Sequence, residues 1–216
     1  AYCIIPSVRG GIRSRPVAQV EEEAVRLAEQ GYQEVVLTGI HLSSYGRDLQ
    51  GQTLLDAVAA VAAISGIRRI RLGSLEPVAA TEDFVQALAK ITKVCPQFHL
   101  SMQSGSDTVL RRMRRRYTSA EYLVTVRRLQ QAFPGCALTT DVLCGFPGET
   151  EEEAAQTLDF CRRVGFARMH VFPFSPRAGT IAADMEGQLS RSIKMARARS
   201  LISLGEELAA AYRRSL

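Results

Sequence analysis

Five cysteines offer the most specific chemistry in this sequence. They are Cys3, Cys95, Cys136, Cys144 and Cys161. Their number is odd and no two stand as Cys-x-x-Cys, which argues against a disulfide framework and for a reducing compartment. Cys3 stands apart because the basic, glycine-bearing stretch 7–16 follows it before any periodic segment. We expect that stretch to be a loop, and on these residues alone Cys3 is better explained as a thiol without a function near a frayed terminus than as a metal ligand.

Two carboxylates occupy positions that could bind a ligand. Glu76 precedes Pro77 at the exit of a predicted strand, and Asp141 stands inside an otherwise apolar strand. A buried carboxylate needs a partner, so Asp141 is either a structural acceptor or a ligand-binding group.

The three histidines do not form a recognisable metal motif. His41, His99 and His170 lack any His-x-x-x-His or His-x-Glu spacing, which disfavours a histidine metal site. We expect His41 and His170 to line a polar rim and His99 to be partly buried in a strand.

Two loops could contact an anion or a nucleotide. Gly145 and Gly148, followed by Glu149, allow close backbone approach just before a helix N-terminus, although a tight turn explains the same residues equally well. Residues 103–107 (QSGSD) offer amide, hydroxyl and backbone donors at the end of another strand.

The basic residues are nearly all arginine and cluster at 111–116 (RRMRRR). The chain carries 27 Lys+Arg against 22 Asp+Glu, a net charge of +5. Arginine suits phosphate contacts, so a nucleic-acid partner is one interpretation and a solvated patch is the other.

The hydrophobic pattern predicts five strands alternating with six helices, which is typical of parallel βα repeats. The predicted strands are 34–39, 67–72, 98–102, 137–143 and 168–172, and the predicted helices are 16–31, 54–64, 81–88, 119–133, 151–164 and 190–212. Functional groups of such folds lie at the carboxyl ends of the strands, where the loops that hold His41, Glu76, Gln103, Gly145 and His170 are found. With 216 residues, 46% of them hydrophobic, and no apolar run of about 18, we expect one α/β domain and no membrane span.

Taken in order, the motifs resemble the radical S-adenosylmethionine (SAM) methylthiotransferases over nearly the whole chain. The matching stretches are residues 2–10 (YCIIPSVRG), 13–16 (RSRP), 34–39 (EVVLTG), 103–110 (QSGSDTVL), 114–118 (RRRYT), 140–150 (TDVLCGFPGET) and 172–180 (FPFSPRAGT). Within the family, residues 38–42 (TGIHL), 44–46 (SYG), 74–77 (SLEP) and 170–172 (HVF) look most like the branch that acts on N6-threonylcarbamoyladenosine at position 37 of tRNA.

The resemblance implies the fold and the extent of the chain. The fold would be a partial (β/α)6 TIM-like barrel of the radical SAM type, without its first strand and half of its cluster loop. Residues 1–216 would form the radical SAM core domain alone, without the family's N-terminal auxiliary-cluster domain and C-terminal TRAM domain. Cys3 would be the third ligand of the Cys-x-x-x-Cys-x-x-Cys motif, whose first two cysteines would precede Ala1.

The resemblance also implies the cofactors and the site. The cofactors are a three-cysteine 4Fe–4S cluster, SAM and a second, auxiliary 4Fe–4S cluster in the absent domain. The residues expected to bind SAM or lie near it are Thr38, Gly39, Glu76, Gln103, Ser104, Asp141, Gly145 and His170. The candidate tRNA contacts are Arg9, Arg13, Arg15, Arg111, Arg112, Arg114, Arg115 and Arg116.

The implied function is a cytoplasmic tRNA-modifying enzyme that methylthiolates C2 of the base, with an electron donor such as flavodoxin or ferredoxin and no membrane partner. The chain by itself is expected to be inactive. Two alternatives remain open: a methylthiotransferase acting on isopentenyladenosine-37 or on a ribosomal-protein aspartate, and a cluster-free basic RNA-binding α/β module.

Overall fold

The computed structural model describes all residues from Ala1 to Leu216, in a parallel α/β arrangement. In chain order the elements are α1 (Ile5–Arg9), α2 (Val17–Glu29), β1 (Glu34–Leu37), α3 (Leu54–Ala63), β2 (Arg69–Leu72), α4 (Glu82–Ala89), β3 (Gln97–His99), α5 (Asp107–Arg112), α6 (Ser119–Ala132), β4 (Ala137–Cys144), α7 (Glu151–Val164), β5 (Arg168–Pro173) and α8 (Arg191–Arg214). The residues group into two compact units, which we call the terminal unit (Ala1–Gly10, Leu100–Val126, Ala137–Leu216) and the middle unit (Gly11–His99, Arg127–Cys136).

The middle unit is built on the parallel pair β1 and β2. Glu34 lies opposite Arg69 in the register, and its carboxylate accepts hydrogen bonds from Arg69 at 2.5 Å and Arg71 at 2.7 Å. Thr53 and Asp56 form a capping box that begins α3, which satisfies two of the free N–H groups at that end. These local signals mark the starts of β1, β2 and α3.

The terminal unit is built on the parallel pair β4 and β5, against which α8 packs. Tyr122 on α6 is fully buried in this unit; its hydroxyl donates to the Leu100 carbonyl at 2.9 Å. Its ring makes edge contacts with Phe160 and Phe166. Such aromatic packing with a satisfied hydroxyl is typical of a well-ordered core.

The strand β4 confirms the predicted alternation. Its burial alternates along the whole strand, with Thr140, Val142 and Cys144 buried and the residues between them half-buried. Asp141 therefore lies on the face opposite the buried side chains, as the period of two requires.

The predicted helices and strands are confirmed to within a few residues at their ends, and two helices were missed. The prediction that residues 7–16 begin as a loop is wrong in part, because α1 covers Ile5–Arg9, with a proline at its start and Gly10 at φ 72° after its end. The second, α5, has Asp107 in its first turn and Arg111 and Arg112 in its last, which suits the helix dipole. Both are too short for hydrophobic periodicity to reveal. None of the helices is long and apolar enough to cross a bilayer.

Candidate active site

Three predicted site residues of the terminal unit lie side by side at the sheet. Asp141 and His170 are register partners on β4 and β5. Gln103 joins the same sheet by an isolated parallel bridge: its N–H donates to the Asp141 carbonyl at 2.9 Å, and its carbonyl accepts from the Leu143 N–H at 2.8 Å. An amide, a carboxylate and an imidazole are thus on adjacent chain segments.

Gln103 is held in an uncommon conformation. Its φ of 68° lies in the left-handed region, which costs a non-glycine residue about 1 kcal/mol or more, and its side chain is buried. The hydroxyl of Tyr2 donates to its Oε1 at 2.7 Å. Arg115 in turn donates to the Tyr2 hydroxyl and lies over its ring, 5.5 Å from the centroid. Burial raises the pKa of Tyr2, against the effect of Arg115, so the phenol stays protonated at neutral pH.

The Ser104 side chain points into the protein. Its hydroxyl contacts Thr157 Oγ1 on α7 at 3.1 Å and accepts from the Ser106 N–H at 3.2 Å. A Cβ on the neighbouring Gly105 would lie 2.6 Å from Phe160 Cβ, so glycine is needed for this loop to approach α7. Ser104 therefore shapes the loop beside Gln103, and its hydroxyl is already engaged.

The N–H groups of the loop 145–150 already have partners in the protein, which favours the tight-turn interpretation over an anion cradle. Its backbone N–H groups donate within the protein: Gly145 to Glu149 Oε2 at 2.6 Å, Gly148 to Gly187, Glu149 to Phe146 and Thr150 to Glu153. Gly145, at φ 70°, is covered by the Lys194 side chain, whose Cγ would lie 2.5 Å from an added Cβ. Gly145 is thus a buried turn residue at the end of β4.

In the middle unit, residues after β1 and β2 meet. His41 Nε2 lies 3.0 Å from Glu76 Oε2, and His41 Nδ1 contacts Ser44 Oγ. The Glu76 N–H also donates to Ser43 Oγ at 2.9 Å. Thr38 and Gly39 are exposed immediately before this group. The structure thus places Thr38, Gly39 and His41 after β1 and brings His41 into contact with Glu76 after β2.

The arginine cluster divides into two groups. Arg111, Arg114 and Arg116 are exposed, whereas Arg112 and Arg115 are engaged inside the terminal unit. Arg112 makes a two-point ion pair with Glu153, at 3.0 and 2.6 Å. Burial alone would raise the pKa of Glu153, but hydrogen bonds from Arg112, Thr108 and Thr150 outweigh it and hold that pKa at about 2. Arg9, Arg13 and Arg15 are all exposed.

Comparison with known proteins identifies the family. The model of the radical SAM superfamily matches residues 1–161. The chain belongs to the radical SAM superfamily. Over 212 residues it is 42% identical to the threonylcarbamoyladenosine tRNA methylthiotransferase MtaB of Bacillus subtilis, covering 98% of this chain and 47% of that protein.

Other relatives agree at the level of the family. A tRNA-2-methylthio-N(6)-dimethylallyladenosine synthase of Parafrankia is 41% identical, covering 99% of this chain and 44% of that protein. The chain spans a little under half the length of these curated relatives.

Solved radical SAM structures share the fold. Coproporphyrinogen III oxidase HemN from Escherichia coli gives a TM-score of 0.63 at 16% identity, covering 89% of this chain and 45% of that one. Methylornithine synthase PylB gives 0.61 at 18%, covering 92% and 56%. The predicted fold class, a partial TIM-like barrel of the radical SAM type, is therefore confirmed.

Radical SAM enzymes use a 4Fe–4S cluster and SAM, and methylthiotransferases carry a second cluster. Cys3 is the exposed thiol, and the other four cysteines are buried. Burial raises the pKa of Cys136 to about 11 and of Cys144 and Cys161 to about 12, so these thiols are poor metal ligands. No group of three His, Cys, Asp or Glu side chains within Ala1–Leu216 is placed to hold a metal ion. This ligand set does not fit a complete cluster site. Gln103, Asp141 and His170 supply an amide, a carboxylate and an imidazole, which are types of group able to hydrogen-bond the hydroxyl and amino-acid groups of SAM.

We expect the 216-residue chain to form no stable four-iron cluster when it is reconstituted anaerobically with iron and sulfide, because one thiolate does not replace three. The measurement is the iron content and the visible absorption after desalting. Four irons per chain with cluster absorption would contradict the expectation and would require ligands other than Cys3.

Two functional candidates escaped the sequence interpretation: Tyr2, which holds Gln103, and Arg197, which binds Glu149 at 2.8 Å. Tyr2 stands beside Cys3, so proximity was an available signal. Arg197 lies 48 residues from its partner in a helix with many arginines, and nothing local marks it.

Proposed function

We propose that this chain is the radical SAM core domain of a methylthiotransferase acting on N6-threonylcarbamoyladenosine at position 37 of tRNA. The observation that carries the proposal is the 42% identity to the Bacillus subtilis enzyme across 98% of this chain. The reaction replaces the hydrogen on C2 of the adenine base with a methylthio group. The family's auxiliary-cluster and TRAM domains would lie outside residues 1–216.

We propose roles for the site residues as follows. The cluster and SAM would supply the radical that removes the C2 hydrogen. Gln103, Asp141 and His170 would hydrogen-bond SAM, with Ser104 and Gly145 shaping the loops beside them. Cys3 would be one cluster ligand. The His41–Glu76 pair, with Thr38 and Gly39, would lie near the bound cofactor and substrate. Sheltering the radical from water would fall to the protein around these residues.

A second candidate substrate is isopentenyladenosine-37, because the Parafrankia synthase is 41% identical over 99% of this chain. The residues that favour threonylcarbamoyladenosine are 38–42 (TGIHL) and 74–77 (SLEP), which hold the His41–Glu76 pair. A tRNA substrate implies a cytoplasmic enzyme with a low-potential electron donor such as a flavodoxin or ferredoxin.

Nucleoside mass spectrometry of tRNA from a strain lacking the gene tests the proposal. We expect loss of the methylthio group from threonylcarbamoyladenosine, and its return when the intact gene is restored. Loss from isopentenyladenosine alone would transfer the assignment to the second substrate. No change in either nucleoside, together with tRNA binding by the purified protein, would favour a cluster-free RNA-binding module.

The exposed arginines are expected to contact tRNA phosphates. Replacing Arg111, Arg114 and Arg116 together with alanine should weaken tRNA binding. The negative slope of log K against log salt should become shallower by roughly three, about one for each lost phosphate contact. Filter binding across a salt series measures both quantities. The matched control is Arg162→Ala with Arg163→Ala, two exposed arginines at the end of α7. An equal change in slope for triple variant and control would show that no local phosphate site exists.

A further inference from the structure

The strongest unexplained feature is a buried arginine at the end of β4. Arg197 on α8 is about nine-tenths buried and lies outside the residues that the family model matches. One guanidinium nitrogen, Nη1, donates to both the Glu149 carbonyl, at 2.9 Å, and Glu149 Oε2, at 2.8 Å. Nη2 donates to Glu151 Oε1 at 2.7 Å. Arg197 thus binds Glu149, the residue whose side chain accepts the Gly145 N–H within the loop 145–150.

Glu149 links Arg197 to Gly145 at the end of β4. The same oxygen that binds Arg197, Oε2, accepts the Gly145 N–H at 2.6 Å. Burial raises the pKa of Glu149 despite the Gly145 N–H and Arg197, so the buried carboxylate depends on these two partners for its charge. Lys194, one helical turn before Arg197, covers Gly145 and places its ammonium 5.1 Å from the Phe174 ring centroid. The first turns of α8 therefore hold Gly145 from two sides.

The residue after Gly145 supports the N-terminal segment. Phe146 is fully buried and makes edge contacts with Tyr2 and Phe174, with centroids 6.1 and 5.3 Å apart. Ala1 and Tyr2 pack against the same apolar cluster. Tyr2 is the neighbour of Cys3 and the hydrogen-bond donor to Gln103. A continuous set of contacts thus leads from Arg197 through Glu149, Gly145 and Phe146 to Tyr2.

A role in stability alone does not account well for this arrangement. Arg197 Nε is buried and has no hydrogen-bond partner, which is a cost. Apolar side chains of similar volume often replace buried ion pairs with no loss of stability. Glu151, the third partner, is 87% exposed and adds little. An apolar side chain cannot donate the two hydrogen bonds by which Arg197 holds the backbone carbonyl and the carboxylate of Glu149.

We propose that Arg197 is a positioning residue for the SAM site: through Glu149 it fixes Gly145 and Phe146, on which the Tyr2–Cys3 segment and Gln103 depend. The inference rests on the proposed function for the identity of the cofactor. Arg197 touches no reacting atom in this scheme and acts only through Glu149. Its loss should therefore weaken SAM binding and loosen the strand end even when the unpaired charge of Glu149 is also removed.

The test uses the whole protein carrying Arg197→Met, with Arg197→Lys as the conservative variant. We expect hydrogen exchange in peptides covering residues 1–5 and 143–150 to accelerate about tenfold, as for loss of a charged hydrogen bond. The α2 peptide, residues 17–29, should not change. The dissociation constant for SAM, measured by equilibrium dialysis, should rise by about tenfold to a hundredfold, the range typical of lost positioning contacts. Arg197→Lys should give exchange rates and a dissociation constant between those of the unmodified protein and those of Arg197→Met.

Two further variants separate positioning from stability. Arg197→Met combined with Glu149→Gln removes the unpaired charge, so it should recover most of the melting temperature but not the SAM affinity. Arg128→Met removes an ion pair with a similar N–O distance, to Glu82 at 2.7 Å, in the middle unit and should leave SAM affinity unchanged.

Three results would overturn the inference. They are faster hydrogen exchange confined to residues 149–151, unchanged SAM affinity in Arg197→Met, or recovery of both the melting temperature and the SAM affinity in the double variant. The exchange and SAM measurements do not depend on which nucleoside is modified. If tRNA methylthiolation is absent in the unmodified protein while these readouts behave as expected, the proposed function fails and the positioning role stands.

Discussion

Replacing Cys3 with alanine in the whole protein is expected to abolish tRNA methylthiolation. If Cys3 is one of three thiolates on the cluster, its loss leaves two, and catalytic metal sites do not keep an ordered open position with an incomplete ligand set. The exposed thiol at the N-terminal segment is the one cysteine of this chain that is accessible to a metal. Iron content after anaerobic purification and nucleoside mass spectrometry of the tRNA product measure the two consequences.

Ser7→Ala is the matched control for this prediction, because Ser7 is an exposed residue of α1 in the same segment. It should retain iron and activity within about threefold, as expected for a surface change. Full activity in Cys3→Ala would remove Cys3 from the ligand set. Loss of activity with four irons retained would point to a role for the thiol other than holding the cluster.

The sequence predicted the regular elements well because their signals are local. The run from Ala137 to Cys144 alternates with a period of two, and the structure has the same alternation of burial. Thr81 and Thr150 cap α4 and α7 through their hydroxyl groups, as their positions before acidic first turns indicate. Asp141 and His170 were expected on two consecutive strands, and the structure adds that they are register partners on β4 and β5.

The details of the site could not be read from the sequence because they depend on contacts between distant residues. Arg115 was one of six residues in a basic run, yet it binds Tyr2, 113 residues away. Nothing in the local pattern separates it from the exposed Arg114 or Arg116. The motif GFPGE was compatible with an open anion cradle until the N–H of Gly145 was found to donate to Glu149.

Two buried glutamates four residues apart, Glu149 and Glu153, have pKa values shifted in opposite directions. Burial dominates at Glu149 and raises its pKa, although Gly145 and Arg197 oppose the change. At Glu153 burial acts in the same direction but is outweighed by three hydrogen-bond donors. Glu149 therefore gains folded-state stability as pH falls and its carboxylate takes up a proton, whereas Glu153 loses it.

The Glu153 carboxylate is expected to make a large, pH-dependent contribution to the free energy of unfolding. Its pKa of about 2 lies below the ordinary value of 4.5, a difference worth about 3 kcal/mol at 1.36 kcal/mol per unit. Because the folded-state pKa is depressed, this stabilisation is fully present above pH of about 5 and is lost as pH falls toward about 2. Its sources are the two-point pair with Arg112 and the bonds that Thr108 and Thr150 donate.

Urea unfolding of the chain and of its Glu153→Gln variant between pH 7 and pH 2.5 measures this contribution. The variant keeps the size of the side chain and should be less stable by about 3 kcal/mol at pH 7, with the difference shrinking steadily below pH of about 5. Glu152→Gln, an exposed change in the same helical turn, removes the same charge from the helix N-terminus and should cost less than about 1 kcal/mol. A difference between the chain and Glu153→Gln that stays constant with pH would mean that the ion pair with Arg112 does not hold the carboxylate charged. In that case the contact between α5 and α7 would owe its stability to packing, and the same acid titration would leave it intact.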